Sequence, residues 1–317
     1  RGELDAAVRR LEPHDGQYPA QRQVYDALLR LTPAGGPQFE PEAVRAYLRH
    51  AMATWSRPPA YLLLVGRETY DYRDILRTAR KSYVPALYFQ SRNRGNAPTD
   101  FLFATVVGDD LFPDLSVGRL SVSTPEEAAV VVRKIVAYDA PPAGRWRDRG
   151  LFLANREEFL RGPNDHRIQT YSTPCGREPG RLYSDDRVPE PNENTRRFIE
   201  LMNEGAVLVN FSGHGSIASM AYFFRGSSQQ EAYTFITKVV NGERLPFYVA
   251  MSCLNGMYAE PTLTSLAEEF VNKPDGGTIA CVSASALGFV FSDSLLNDRM
   301  FLHTFQKGER QFGRILD

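Results

Sequence analysis

Cysteine is scarce in this chain: 317 residues contain three, Cys175, Cys253 and Cys281. So few, so irregularly spaced, exclude a disulfide framework and a cysteine-ligated zinc site. An excess of either charge is also missing. The 37 basic and 38 acidic residues leave a formal net charge of −1, so no global field recruits nucleic acid or an anionic membrane. Arginine is scattered, and no basic tract stands out. No stretch approaches the ~20 apolar residues that span a bilayer. The opening Arg1-Gly-Glu-Leu-Asp5 holds no signal-peptide core. There is no repeat of fixed period. The chain starts without methionine, which leads us to expect a piece of a longer precursor with flanking domains.

What is present alternates. Helical patterns are expected at Gln21–Leu31, at Pro41–Thr54 and, after the start signal Thr124-Pro-Glu-Glu127, through Val136 to Asp139. Between them lie the apolar runs Tyr61–Val65, Ala86–Gln90, Phe101–Val107 and Leu115–Arg119, with a Gly/Asn/Pro loop at Ser91–Thr99. Pro141-Pro142-Ala-Gly144 is the best linker, giving lobes 1–145 and 146–317. In the second lobe, strands are expected at Leu151–Ala154, Val207–Ser212, Phe247–Met251 and Gly277–Ser285. The intervening helices run from Asn194 (capped by Asn192 or Asn194), near Tyr233, from Ser265 and from Asp293. Strands alternating with helices of ~8–14 residues imply βαβ units and a parallel sheet covered by helices on both faces.

Two of these strands end on reactive side chains. Val207-Leu-Val-Asn-Phe-Ser-Gly-His214-Gly-Ser216 delivers an imidazole, and Phe247-Tyr-Val-Ala-Met-Ser-Cys253-Leu-Asn-Gly256 delivers a thiol. Runs apolar on both faces are buried strands of parallel sheets, whose carboxyl ends collect ligands and chemistry. The intervening segment has room for one crossover helix, which places the two strands close together. A free thiol titrates near ~8.5 and is mostly protonated at neutral pH, so a neighbouring imidazole is what makes it a nucleophile. The backbone N–H groups of Gly215 and Cys253 aim at the same spot and suit an oxyanion. By contrast, Cys281 sits in the apolar run Thr278–Ser283 and reads as a small buried hydrophobe. Cys175 lies in a polar loop without an evident partner.

Asn210-Phe-Ser-Gly-His-Gly-Ser216 and Ser252-Cys-Leu-Asn-Gly256 resemble the His and nucleophile motifs of the gingipain-like cysteine peptidases, of the caspase-like clan. Ser265–Phe270, Gly276–Ala280 and the stretch from Gly108 through Pro113-Asp-Leu-Ser-Val-Gly-Arg-Leu120 to Tyr138 extend the resemblance over most of the chain. It implies a caspase-like α/β fold: parallel sheets, mixed at the edge, flanked by helices, in two side-by-side lobes. It implies that His214 is the general base and acid, that Cys253 is the nucleophile, and that peptide bonds are hydrolysed through an acyl-enzyme. Ser212, Met251 and the loop Ala286–Phe291, with Phe289 and Phe291, would wall the pocket. Asn155 stands where the family often has Asp to orient the imidazole, with Glu157 or Glu158 as substitutes. Cleavage after Arg or Lys needs an acid in the pocket, and Asp165 is the nearest candidate by position, against its reading as a turn residue in Gly162-Pro-Asn-Asp165.

No cofactor is required by this chemistry. Asp109, Asp110 and Asp114 offer oxygen ligands for a structural calcium, against the reading of a solvated turn. The partner is a protein or peptide substrate. The resemblance implies a bacterial secreted or envelope protein. Two other outcomes stay open: a sortase-like transpeptidase that uses the same pair, and a pseudoenzyme or interaction module that keeps the fold without turnover.

Overall fold

The computed structural model describes residues 41–91, 95–184, 193–223 and 229–316. The expected helix Gln21–Leu31 and the cap Asn192 lie outside them. Contacts divide the chain into two units, Arg1–Val132 with Gln311–Asp317, and Arg133–Arg310.

The first unit runs α1 (Pro41–Thr54), β1 (Tyr61–Val65), β2 (Leu87–Ser91), β3 (Gly95–Thr99) and β4 (Ser116–Leu120). Val44, Leu48 and Ala51 recur at helical spacing on α1, and Val44 and Leu48 join Leu62, Leu64, Leu87 and Phe103 in one core. β1 pairs parallel with β4, and β2 pairs antiparallel with β3. Part of the expected Ser91–Thr99 loop is therefore strand. The expected strand at Phe101–Val107 is replaced by a 3₁₀ turn over Phe101–Phe103, which drives Phe103 into the core. Arg119 donates to both Asp100 carboxylate oxygens at 2.7 Å and to the carbonyls of Gly66 and Val84, so the buried guanidinium is fully used.

Helix α2 (Pro125–Tyr138) follows its start signal: Thr124 Oγ1 accepts the Glu127 N–H, and Glu127 accepts the Ser123 N–H. The division between units runs through α2, earlier than the boundary expected near residue 145. Lys134 explains why. Its buried ammonium donates to the carbonyls of Val271 and Gly276 at 2.8 and 2.9 Å, and at 3.3 Å to those of Phe270 and Lys273.

The second unit runs β5 (Arg149–Ala154), α3 (Glu158–Arg167), β6 (Glu178–Tyr183), α4 (Glu193–Glu204) and β7 (Leu208–Ser212). It continues with β8 (Gly215–Ser216), β9 (Ser219–Met220), α5 (Gln229–Thr237), β10 (Phe247–Met251), α6 (Leu266–Asn272), β11 (Ala280–Ser283) and α7 (Val290–Phe301). Five strands form a sheet in the order β11-β10-β7-β5-β6, parallel throughout. Side chains alternate across it. Leu151, Leu153, Val209, Phe211, Tyr248 and Ala250 pack against Phe198 of α4 and Phe270 of α6. On the opposite face, Phe152 packs with Ile168, Tyr171 and Phe301 of α7. Helices thus cover both faces, as the alternation predicts. From β5 the chain goes to β6 on one side and later to β7 on the other. The order of strands reverses there, and at such a switch point the carboxyl ends open into a crevice.

Candidate active site

β7 and β10 are direct neighbours, and their register ends at Ser212 opposite Met251. His214 and Cys253 each follow two residues later, so one edge of the sheet presents both. The Gly213 N–H donates to the Met251 carbonyl at 3.2 Å. A β-carbon at Gly213 would lie 2.5 Å from the Phe211 ring and 2.7 Å from Asn155 Oδ1, so only glycine lets the chain turn here. Ser212, Gly213, His214, Met251, Ser252 and Cys253 form one wall of a cleft. Phe159, Leu160 and Pro163 of α3 and Gly288, Val290, Asp293 and Ser294 complete it. Cys253 is half-buried, and the His214 side chain is 58% exposed, so both are reachable from solvent.

Asn155, directly after β5, is fully buried, and both ends of its carboxamide are used. Its Oδ1 accepts the His214 backbone N–H at 2.7 Å, and its Nδ2 donates to the Ala221 carbonyl at 2.8 Å. It therefore grips the backbone on which the imidazole is mounted, not the ring. The carboxylate facing the ring is that of Glu157, with Oε1 3.6 Å from His214 Nε2. Glu158 instead pairs with Arg161 on the α3 surface.

Asp165 is not at the cleft. It lies in helix α3, not in a turn, and its Oδ1 accepts from Arg181 Nε at 3.0 Å and the Tyr183 hydroxyl at 2.9 Å. The cleft does contain an acid, Asp293, in the first turn of α7. Burial pushes its carboxyl above the ordinary range. Gly288 faces it so closely that a β-carbon there would sit 2.5 Å from Asp293 Oδ2. Phe289 and Phe291 flank the cleft without lining it, Phe291 being 81% exposed, and Val290 between them supplies the apolar contact.

Beneath the cleft a buried polar cluster fixes its floor. Asn164 Oδ1 accepts from Asn210 Nδ2, Ser212 Oγ and Arg167, while Asn297 donates to Asn210. Arg167 in turn holds the Ser294 carbonyl and hydroxyl at 2.9 and 2.8 Å. The segment carrying Asp293 is thereby pinned to the same strands that carry His214. Asn210 and Ser212 interrupt otherwise apolar β7 because their side chains feed this cluster.

The other thiols differ in setting. Burial pushes the Cys281 thiol up to about 12, where it is inert. Cys175 is exposed and points its sulfur at the Phe305 carbonyl. The Asp114 carboxylate accepts the N–H groups of Val106 and Val107, and Asp110 that of Phe112. Among the described residues no group of three or more His, Cys, Asp and Glu side chains is arranged to hold a metal, and no helix is long and apolar enough to cross a membrane.

Comparison with known proteins places the chain in a family and a fold. The model of peptidase family C25 matches residues 14–317. Gingipain R2 of Porphyromonas gingivalis is 22% identical over 251 residues, covering 77% of this chain and 31% of its own length. Gingipain R1 of Porphyromonas gingivalis is also 22% identical, with 23% of its length covered. The chain thus spans a third or less of these relatives. Among solved structures, the Arg-specific cysteine proteinase gingipain R superposes with a TM-score of 0.71 at 19% identity, over 87% of this chain and 61% of that one. The complex of the Porphyromonas gingivalis RgpB pro- and mature domains gives 0.69. The fold is therefore the caspase-like α/β fold of gingipain.

Proposed function

The chain belongs to peptidase family C25, and on that premise we propose that it is a cysteine endopeptidase acting through Cys253 and His214, with preference for a basic residue before the cut. The observation that carries this reading is the register of β7 and β10, which ends both strands level and sets imidazole and thiol on one cleft wall.

In the proposed cycle, His214 takes the proton of the Cys253 thiol as sulfur attacks the scissile carbonyl carbon. The backbone N–H groups of Gly215 and Cys253 receive the oxyanion. Collapse of the tetrahedral species breaks the C–N bond, and His214 returns its proton to the leaving amine. The thioester left on Cys253 is hydrolysed by a water that His214 deprotonates, which restores the thiol. Glu157 supports the imidazolium by charge, and Asn155 fixes its mounting.

A basic side chain entering the cleft meets Asp293, a partly buried carboxylate whose attraction for a cation is little screened. Gingipain R is Arg-specific by its name, and the acid in this cleft fits a similar choice here. A positional-scanning peptide library, run on wild type and Cys253→Ala with product masses recorded with and without an added amine, tests the reading. Cleavage after Arg or Lys that is lost in Cys253→Ala is expected. A flat profile removes the basic preference, and amine adducts in place of acids make the enzyme a transpeptidase.

A further inference from the structure

Asn255 is fully buried two residues after Cys253, and its carboxamide is used at both ends. Its Oδ1 accepts the Ser252 hydroxyl at 2.7 Å. Its Nδ2 donates to the carbonyls of Ser216 at 2.6 Å and Ser219 at 2.9 Å. Ser216 and Ser219 close the β8–β9 hairpin, whose first residue, Gly215, directly follows His214. One side chain from the nucleophile turn thus binds both carbonyls of the hairpin that continues from the imidazole.

Two further features show how little slack this junction has. Leu254, between the nucleophile and Asn255, has φ of 63°, in the left-handed region that is unfavourable for a side-chain-bearing residue and persists only where its surroundings impose it. The Leu254 N–H is held by the Ala286 carbonyl at 3.0 Å, and the Asn255 carbonyl by the Ala267 N–H at 3.0 Å. On the hairpin side, a β-carbon at Gly215 would lie 2.8 Å from the Cys253 carbonyl oxygen and 2.9 Å from Ser252 Oγ. The two loops therefore touch backbone to backbone beside the nucleophile.

We propose that Asn255 is a positioning residue that sets the register of Cys253 against His214 by clamping the nucleophile turn to the β8–β9 hairpin. The proposal rests on the reading of these two residues as the reacting pair. A carboxamide suits the task because it offers two donors and an acceptor in one plane. Asp would turn a negative charge on two carbonyl oxygens, and Ala would leave them without donors. The segment that carries Asp293 is held separately, through Arg167 and Ser294, so loss of the clamp is expected to affect turnover more than binding.

The test compares wild type, Asn255→Ala and Ser252→Ala in kcat and KM on a cleaved peptide, in the iodoacetamide alkylation rate of Cys253 with Cys175 as internal reference, and in Tm. A misplacement on the order of 1 Å costs about 100-fold. Asn255→Ala is accordingly expected to lower kcat by about that factor, to leave KM within roughly twofold and to slow alkylation of Cys253 toward the rate of Cys175. Ser252→Ala, which removes one of the three bonds, moves both in the same direction by less. Wild-type kcat and alkylation rate in folded Asn255→Ala overturn the proposal. So does a KM rise without a kcat fall. If Asn255→Ala does not fold, Ser252→Ala decides by the same criteria. If wild-type Cys253 reacts no faster than Cys175, the peptidase reading itself fails and takes the clamp with it.

Discussion

Asn155 holds His214 by its backbone, with Oδ1 2.7 Å from the His214 nitrogen, while the ring is left to Glu157 at 3.6 Å. Mounting and charge support are thus divided between two residues of one loop. Glu157→Gln keeps the shape and removes the charge, and kcat is expected to fall about tenfold, about 1.4 kcal/mol of transition-state stabilisation, with Tm unchanged. Asn155→Ala leaves a buried N–H without an acceptor, so it is expected to lower stability by roughly 1–3 kcal/mol as well as activity. Paired urea melts and peptide kinetics distinguish the two.

Asp293→Asn replaces the acid of the cleft by a neutral isostere. Discrimination for Arg or Lys over a neutral residue is expected to drop by about 2 kcal/mol, roughly thirtyfold in kcat/KM. Because burial holds the Asp293 carboxyl above the ordinary range, wild-type preference for basic residues is expected to weaken on acidification at a pH above the usual ~3.9 of an aspartate. Matched basic and neutral peptides assayed across the acidic range read this out. A preference unchanged in Asp293→Asn contradicts the assignment.

Lys134 is expected to be structural. Lys134→Met removes the ammonium donor from the carbonyls of Val271, Lys273 and Gly276, and from that of Phe270, which keeps the Thr278 N–H. Unfolding free energy should fall by about 1–3 kcal/mol. The ratio of Cys253 to Cys175 alkylation in the folded variant should stay at the wild-type value.

The first unit is expected to contain a pH-dependent element. Glu68 is buried, accepts the Ser82 hydroxyl, and is pushed by desolvation from 4.5 up to about 7 in spite of nearby Arg119. A carboxyl raised on folding favours the folded state while protonated. Its contribution is full below about 4.5 and is lost as pH rises through about 7. Glu68→Gln, always neutral, should remove that slope. Melts of wild type and variant between these limits measure the difference directly.

The juxtaposition of His214 and Cys253 at one sheet edge was legible because parallel strands buried on both faces leave long apolar runs, and the residues that end them stand out. Strand β6 was not. Glu178-Pro-Gly-Arg-Leu-Tyr183 lacks the β-branched signature, and an edge strand pairs on one side only. Helix α3 was hidden by Gly162-Pro-Asn-Asp165, which has turn composition. Pro163 forgoes the bond to the Phe159 carbonyl, and both residues line the cleft, where that loss is affordable. The roles proposed for Asp293 and Asn255 were not legible for a different reason. They rest on contacts with other loops, Gly288 for Asp293 and the β8–β9 hairpin for Asn255, which neither periodicity nor spacing records.

The iodoacetamide alkylation rate of each cysteine in one folded sample at near-neutral pH shows most plainly whether Cys253 is an activated nucleophile. Cys175 is the more exposed thiol and provides the baseline. Cys253 is expected to react well ahead of Cys175, Cys281 to be spared, and His214→Ala to bring Cys253 down to the baseline. A Cys253 that labels no faster than Cys175 in the wild type is not an activated nucleophile.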